Sequence, residues 1–228
     1  MASKMIYLQP TPVRIWHWLN ALGIVTLCLS GAQIRFPEYF TPFGSYRSAI
    51  MLHNTAGIVV SLSFSIWFFY YKWVAGNMSK IYMPTGDDIR HGLFRQALFY
   101  FWKYFKGDPN PHHATPDNKF NPMQKSAYMA IMFVLVPLVS LTGIFLMNVG
   151  PLRELVLIVG GLKILVGLHF LLACSLCAFL FTHVYLATLG STPLAYFKPM
   201  WTGWEEVHED HHHEEESSAI HHSPVRGS

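Results

Sequence analysis

The sequence predicts an all-α membrane protein, a four-transmembrane-helix bundle with a cytoplasmic interfacial helix between helices 2 and 3. Three observations carry that reading. The 228 residues are 52% hydrophobic and only 13% charged, a balance outside the usual range of soluble domains. The charges are clumped, so that no Asp, Glu, Lys or Arg occurs from Ile15 to Ile34, Ser48 to Tyr71, Ser126 to Leu152 or Ile164 to Phe197. Each run meets or exceeds the roughly 20 residues that cross about 30 Å of hydrocarbon. Spans are expected at about 15–35, 49–72, 124–149 and 162–189, in a membrane domain 15–197 set between an N-terminal segment 1–14 and a polar tail 198–228.

The first run is longer than the apolar segment of a signal peptide and lacks a small-residue cleavage site behind it, so it is expected to stay as a helix. It ends near Phe36-Pro37, and the short loop Glu38 to Arg47 carries Pro42 and Gly44 as turn residues. Between helices 2 and 3, Asp87-Asp88 is read as the cap of a helix over Ile89 to Phe105. Leu93, Phe94, Ala97, Leu98, Phe101, Trp102 and Phe105 form its broad apolar face, and Arg90, Arg95, Lys103 and Lys106 flank it. The stretch Gly107 to His113 is too rich in Pro to continue it. Asn121-Pro122-Met123-Gln124 has the pattern of a helix start, with Asn as cap, Pro in the first turn and Gln at the third position. Gly160-Gly161 precedes the last span and Gly190 to Pro193 follows it.

Basic residues set the orientation. Lys4 and Arg14 precede helix 1, and Lys72, Lys80, Arg90, Arg95, Lys103, Lys106, Lys119 and Lys125 lie between or beside helices 2 and 3, whereas only Arg35, Arg47, Arg153 and Lys163 fall on the other side. The positive-inside rule places both termini and the 73–125 segment in the cytoplasm. The net charge of +3 is accounted for by this topology and is not read as nucleic-acid binding. Cys28, Cys174 and Cys177 lie within spans, where no disulfide framework is expected. Ala178 follows the C-x-x-C pair where covalent haem attachment requires His, so these cysteines read as small residues at helix contacts.

Four histidines open the functional question. His17 and His53 open the first two runs, and His169 and His183 lie 14 residues apart in the last. At about 1.5 Å and 100° per residue, those 14 residues return to within about 40° of the same face roughly 21 Å further on. A lone histidine in an apolar helix is more often a packed, hydrogen-bonded residue than a ligand, but ionisable groups inside membranes are costly and usually functional. The topology matches His17 with His183 near the cytoplasmic face and His53 with His169 toward the outer face. Two layers of paired imidazoles fit the axial positions of two haems, and filling both positions suits electron transfer because no open site is left for oxygen. Gly31, 14 residues after His17, lies at the depth of the outer pair. It reads either as room for a porphyrin or as ordinary helix contact.

At these residues the chain resembles a known family, the membrane-bound dihaem cytochrome b subunits of respiratory formate dehydrogenases, with the related Ni/Fe-hydrogenase b-type cytochromes and thiosulfate-reductase cytochrome b subunits. The likeness covers most of residues 10–195. It rests on His17-Trp18 followed by the apolar run to Leu29-Ser30-Gly31, on Leu52-His53 with Gly57, and on N-x-x-Q-K at Asn121 to Lys125. Thr142-Gly143 and the H-x13-H-x-Y of His169, His183 and Tyr185 complete it. The four-span layout and the N-x-x-Q start of helix 3 favour the formate dehydrogenase gamma subunits. The resemblance implies two haem b groups, with His17 and His183 holding the inner one and His53 and His169 the outer one. It also implies contacts from Asn121 and Gln124 to menaquinone or ubiquinone. The implied partners are an iron–sulfur electron-transfer subunit with a catalytic subunit, or a periplasmic cytochrome c, at a bacterial cytoplasmic (inner) membrane. A helix cap alone also explains Asn121 and Gln124, although a helix N-terminus at the interface does offer donors to a quinone carbonyl.

No catalytic nucleophile pattern, iron–sulfur cysteine cluster or dinucleotide fingerprint occurs, so substrate chemistry is expected on another subunit. The rival reading is a histidine-based proton channel or transporter without haem, which calls for internal repeats or intramembrane carboxylates. Every Asp and Glu lies outside the four runs. His91, His112 and His113 are expected to be solvated. The tail histidines His208, His211, His212, His213, His221 and His222 depart from the family pattern and read as a weak divalent-metal site or a solubilising remnant, in a tail expected to be disordered by itself.

Overall fold

A computed structural model describes residues 3–108, 111–112, 120–190, 192 and 194–208. Four helices are long and apolar enough to cross a membrane: α1 (Thr11–Arg35), α2 (Tyr46–Val74), α5 (Pro122–Met147) and α7 (Leu162–Ala187). They begin two to four residues earlier than the charge-free runs, and at α2 and α5 side-chain caps set the start. Ser45 accepts the Ser48 N–H at 3.0 Å ahead of α2, and Asn121 and Gln124 cap α5. A wide π-type turn over Tyr70–Val74 ends α2, and another over Ile131–Leu135 interrupts α5. The second lies just ahead of Pro137, which has no N–H to continue the ladder, and a local widening accommodates that loss.

In the bundle α1 packs chiefly on α2, and α7 on the second half of α5. Polar side chains tie the helices where lipid gives no hydrophobic drive to associate. Asn20 Nδ2 donates to Ser63 Oγ at 2.8 Å and Trp16 Nε1 to the Ser63 carbonyl at 3.2 Å, joining α1 to α2, while Ser61 donates to Ser140 at 3.0 Å, joining α2 to α5. At the inner end, the short helix α3 (Met78–Tyr82) seats Met78 and Tyr82 among Trp67, Met132 and Val136.

The segment 88–106, α4, is helical but irregular: wide turns over Asp88–Gly92 and Phe99–Lys103 flank Leu93–Leu98, and a tight turn Tyr104–Lys106 ends at Gly107 with φ 79. Its cap is Thr85, not Asp87. Thr85 Oγ1 accepts the Asp88 N–H at 3.2 Å, and Asp88 Oδ2 accepts the Thr85 N–H at 2.8 Å, a reciprocal capping box with Asp in the Glu position. Phe94, Phe101, Trp102 and Phe105 are exposed, as expected of an apolar face, while Phe99 and Tyr100 turn inward onto Leu189. Gly92 lets α4 approach the start of α5, since a Cβ there would meet Pro122 Cγ at 2.6 Å.

Five short elements escape the sequence reading, helix α3 among them. Helix α6 (Arg153–Ile158) precedes α7, and helix α8 (Lys198–Thr202) leads into a strand, Trp204–His208 (β2), which pairs antiparallel with Ser3–Tyr7 (β1) in the register Tyr7 to Trp204 and Ser3 to His208. Residues 198–208 therefore belong to the folded body and not to the tail, and a two-stranded sheet accompanies the helices. The pairing places the first and last described segments on one side of the bundle, as four crossings require. Arg14 donates to the Trp201 carbonyl, Trp18 Nε1 to the Met200 carbonyl at 2.9 Å, and the Trp18 and Trp201 rings lie 4.4 Å apart.

Candidate functional site

The four histidines meet in the two pairs that topology predicts. His53 and His169 each stand seven residues after the first residue of their helices, α2 and α7, so they share a depth of about 11 Å from the helix starts. Their ring centres are 6.3 Å apart. His17, six residues into α1, faces His183, four residues before the end of α7, again with ring centres 6.3 Å apart. One metal ion bound by an outer nitrogen of each ring allows the centres to stand up to about 6.4 Å apart, from two metal–nitrogen bonds of about 2.0–2.1 Å and two ring radii. Both pairs have the spacing for one shared ion.

The donor set narrows what that ion is. No group of three or more His, Cys, Asp or Glu suited to a metal occurs among the described residues. A zinc-type site needs three or four protein donors, whereas a haem iron takes four nitrogens from its porphyrin and asks the protein for two. Two imidazoles without a third donor fit haem.

The pair His53–His169, called outer after the orientation expected from the sequence, is held by matching devices on two different helices. Ser30 Oγ lies 3.0 Å from His53 Nδ1, and Thr142 Oγ1 lies 2.9 Å from His169 Nδ1. The next residue in each case is glycine. A Cβ at Gly31 would meet His53 Cε1 at 3.3 Å, and one at Gly143 would meet His169 Cε1 at 3.3 Å. Gly31 thus makes room for the imidazole itself, a third role beside porphyrin space and plain helix contact. The inner pair lacks this arrangement. His17 Nδ1 is buried with no hydrogen-bond partner among the described residues, its ring meets Trp18 edge-on at 5.1 Å, and His183 stacks on Phe179 at 5.6 Å.

Asn121 and Gln124 form a complete capping box at the start of α5. Asn121 Oδ1 accepts the Gln124 N–H at 2.8 Å and Gln124 Oε1 accepts the Asn121 N–H at 3.0 Å. Asn121 is buried, and its amide donates to Tyr100 at 3.3 Å. Gln124 is exposed and its Nε2 has no partner among the described residues. Next to them Lys125 reaches Asp88 Oδ2 at 3.3 Å with both side chains largely buried. Burial works against the Asp88 carboxylate, but hydrogen bonds from Thr85 and Lys125 outweigh it and hold its carboxyl below the usual range. This cluster packs at the same end of the bundle as His183, since Leu186 and Leu189 contact Phe99, Tyr100 and Met123.

His91 is exposed beside Asp87, as expected, whereas His112 is half-buried. His113 and the tail histidines His211, His212, His213, His221 and His222 lie outside the described residues; His208 ends β2. Cys28, Cys174 and Cys177 are free thiols. Cys28 and Cys177 line an apolar cavity of about 640 Å³ between α1 and α7. Sequence reasoning missed Ser30 and Thr142 as partners of the imidazoles. The Ser-Gly and Thr-Gly dipeptides at matching depth were the available signal.

Comparison with known proteins identifies the family. The family model described as prokaryotic cytochrome b561 matches residues 8–203. The chain is 32% identical over 206 residues to "Putative cytochrome YdhU" of Escherichia coli K12, covering 89% of this chain and 75% of that one. It is 24% identical over 203 residues to the formate dehydrogenase cytochrome b556(fdo) subunit of the same organism, covering 86% of each. It is 30% identical over 97 residues to the "Probable Ni/Fe-hydrogenase B-type cytochrome subunit" of Cupriavidus necator, covering 42% of this chain and 36% of that one. With four apolar helices long enough to span and a family match over most of its length, the chain belongs to the prokaryotic cytochrome b561 family, the membrane electron-transfer cytochromes that bind haem b.

Proposed function

We propose that this chain is a dihaem membrane anchor that passes electrons between a redox partner on the outer face and the quinone pool on the cytoplasmic face. His53 and His169 hold the outer haem, and His17 and His183 the inner one. The observation that carries this reading is the equal 6.3 Å spacing of the two imidazole pairs, set about 21 Å apart along α7. Haem would supply reversible one-electron chemistry; the chain would supply two imidazoles to each iron, leaving little access for other ligands, and the apolar surround. The excess of Lys and Arg around α3, α4 and the start of α5 supports a cytoplasmic inner end and cytoplasmic termini. The exposed aromatic face of α4 supports a place for it in the interface.

The quinone is placed at the start of α5, with Gln124 as the donor, because its Nε2 is exposed and unengaged while Asn121 is buried and committed. Menaquinone or ubiquinone fits this role. Formate dehydrogenase and Ni/Fe-hydrogenase cytochromes among the relatives support an iron–sulfur subunit and a catalytic subunit as partners. Transfer from an outer donor to an inner quinone site moves charge across the membrane potential, worth about 2.3 kcal/mol per charge per 100 mV.

The test is haem stoichiometry in purified protein and its single-histidine variants. Pyridine haemochrome analysis should give two haems per chain. His17→Ala and His183→Ala should lose the same inner haem, and His53→Ala and His169→Ala the outer one. One haem per chain, or His17 and His53 depleting a common spectrum, would overturn the assignment.

A further inference from the structure

Hydroxyls that bond back to their own helix are common in membrane spans, and this chain has several, among them Thr26 to the Leu22 carbonyl at 2.8 Å and Ser175 to the Leu171 carbonyl at 3.0 Å. Ser30 and Thr142 differ from these in two respects. Both are buried, and each is followed by a glycine whose missing Cβ lets a histidine ring from the neighbouring helix come against the hydroxyl. The same unit thus occurs twice, Ser30-Gly31 on α1 for His53 of α2, and Thr142-Gly143 on α5 for His169 of α7.

Proton accounting fixes which atom donates. A hydroxyl carries one proton. Ser30 Oγ stands 2.6 Å from the Thr26 carbonyl and Thr142 Oγ1 stands 2.9 Å from the Leu138 carbonyl, contacts that need the hydroxyl proton between the two oxygens. The hydroxyl oxygen therefore has only lone pairs to offer the imidazole, and Nδ1 must be the donor. With its proton on Nδ1, each ring keeps the Nε2 lone pair for a metal.

We propose that Ser30 and Thr142 are positioning residues for the outer haem: their oxygens accept the Nδ1–H of His53 and His169, fix the metal-binding tautomer, and hold that haem at a lower reduction potential than the inner one. The proposal rests on the dihaem reading above. An imidazole whose Nδ1–H is hydrogen-bonded is more basic toward iron and favours the ferric state. Both outer ligands have this partner, whereas His17 Nδ1 in the inner pair is buried without one among the described residues. The consequence is a drop in the electron's free energy from the outer to the inner haem, the inner one having the higher reduction potential. Such a drop drives an electron inward, the direction that the membrane potential opposes.

The test is a redox titration of the full chain in detergent, following the two haems optically, with His53→Ala identifying the inner haem by loss of the outer. Ser30→Ala and Thr142→Val should each raise the outer midpoint, and the double variant should raise it further with the inner midpoint unmoved. Ser30→Thr and Thr142→Ser should restore it. An outer midpoint unchanged in the double variant, or both haems shifting together, would overturn the assignment. If Ser30→Ala loses the outer haem altogether, retention in Ser30→Thr supports the hydroxyl role, and loss there too overturns it. Fewer than two haems in the unaltered chain would instead sink the dihaem reading, a failure visible before any variant is made.

Discussion

Gly31 and Gly143 give the sharpest structural prediction. A Cβ added at either would lie 3.3 Å from the Cε1 of its histidine, tighter than ordinary van der Waals contact, so the ring must give by a few tenths of an ångström. The ring has little slack. Moving it away from the glycine lengthens the Nδ1 hydrogen bond to Ser30 or Thr142, now 3.0 and 2.9 Å, or disturbs the 6.3 Å spacing of the pair. Metal–ligand distances tolerate about 0.2 Å, so the displacement is comparable to the whole tolerance. Losses around a metal ligand of this kind cost about 10–100-fold in affinity, or roughly 1.4–2.8 kcal/mol. Gly31→Ala and Gly143→Ala should therefore release the outer haem to excess apomyoglobin about 10–100-fold faster than the unaltered protein, with the inner haem unaffected. Gly31→Leu should not bind the outer haem at all. Gly57→Ala is the control, since its Cβ would meet only Leu27 Cδ2 at 3.8 Å, an ordinary contact. Unchanged release in both alanine variants, or a loss equal to that of Gly57→Ala, would refute the argument that these glycines seat the imidazoles.

Three further outcomes follow from other parts of the molecule. Gln124→Ala should slow reoxidation of the reduced haems by a quinone analogue while leaving both haem spectra intact, because the lost cap costs only about 1 kcal/mol; normal quinone kinetics would move the site elsewhere. The Asp88 carboxyl is held below its ordinary value, so its bonds to Thr85 and Lys125 stabilise α4 above the unfolded-chain value of about 3.9 and are lost as pH falls through the lower folded value. Protease protection of α4 should accordingly persist to below about pH 4, and Lys125→Met should weaken it at neutral pH by about 1–3 kcal/mol; equal protection in the variant would show the ion pair to be idle. Trp201→Ala removes the 4.4 Å contact with Trp18, worth about 0.5–1.5 kcal/mol. Amide exchange in β1 and β2 should then quicken by roughly 2–12-fold, and an unchanged rate would mean that the sheet holds without that contact.

The spans and the histidine pairs were legible because each depends on short-range regularities. Charge-free length marks a span, and the 14-residue interval fixes two depths on one helix whatever the rest of the chain does. The Asn121 cap was legible for the same reason. Features made by distant partners were not. Trp204–His208 reads as the start of a charged tail and becomes a strand only because Ser3–Tyr7 lies beside it. Asp87-Asp88 looks like a cap on composition, yet Thr85 takes that place because its hydroxyl stands three residues before Asp88. Ser30 and Thr142 carry one mark, the glycine that follows each, and it gains a meaning only when the neighbouring helix brings a histidine against them.

Because α7 carries one histidine of each pair, its rotation and height are constrained twice. A shift of one residue along the helix would turn both imidazoles by about 100° and move them about 1.5 Å, far beyond the tolerance of either pair. The two ends of α7 are held differently. Near the outer end, His169 itself is the anchor, through Thr142 on α5. Near the inner end the anchor is packing, with Leu186 and Leu189 against Phe99, Tyr100 and Met123, and Tyr104 donating to the Gly190 carbonyl at 3.3 Å. Segment α4 is thereby more than a connector between two spans: it clamps the end of α7 that bears His183 and, through Gly92 against Pro122, the end of α5 that bears Gln124. The inner histidine pair and the proposed quinone donor are set by the same piece of chain, so a disturbance of α4 should reach both at once while leaving the outer pair in place.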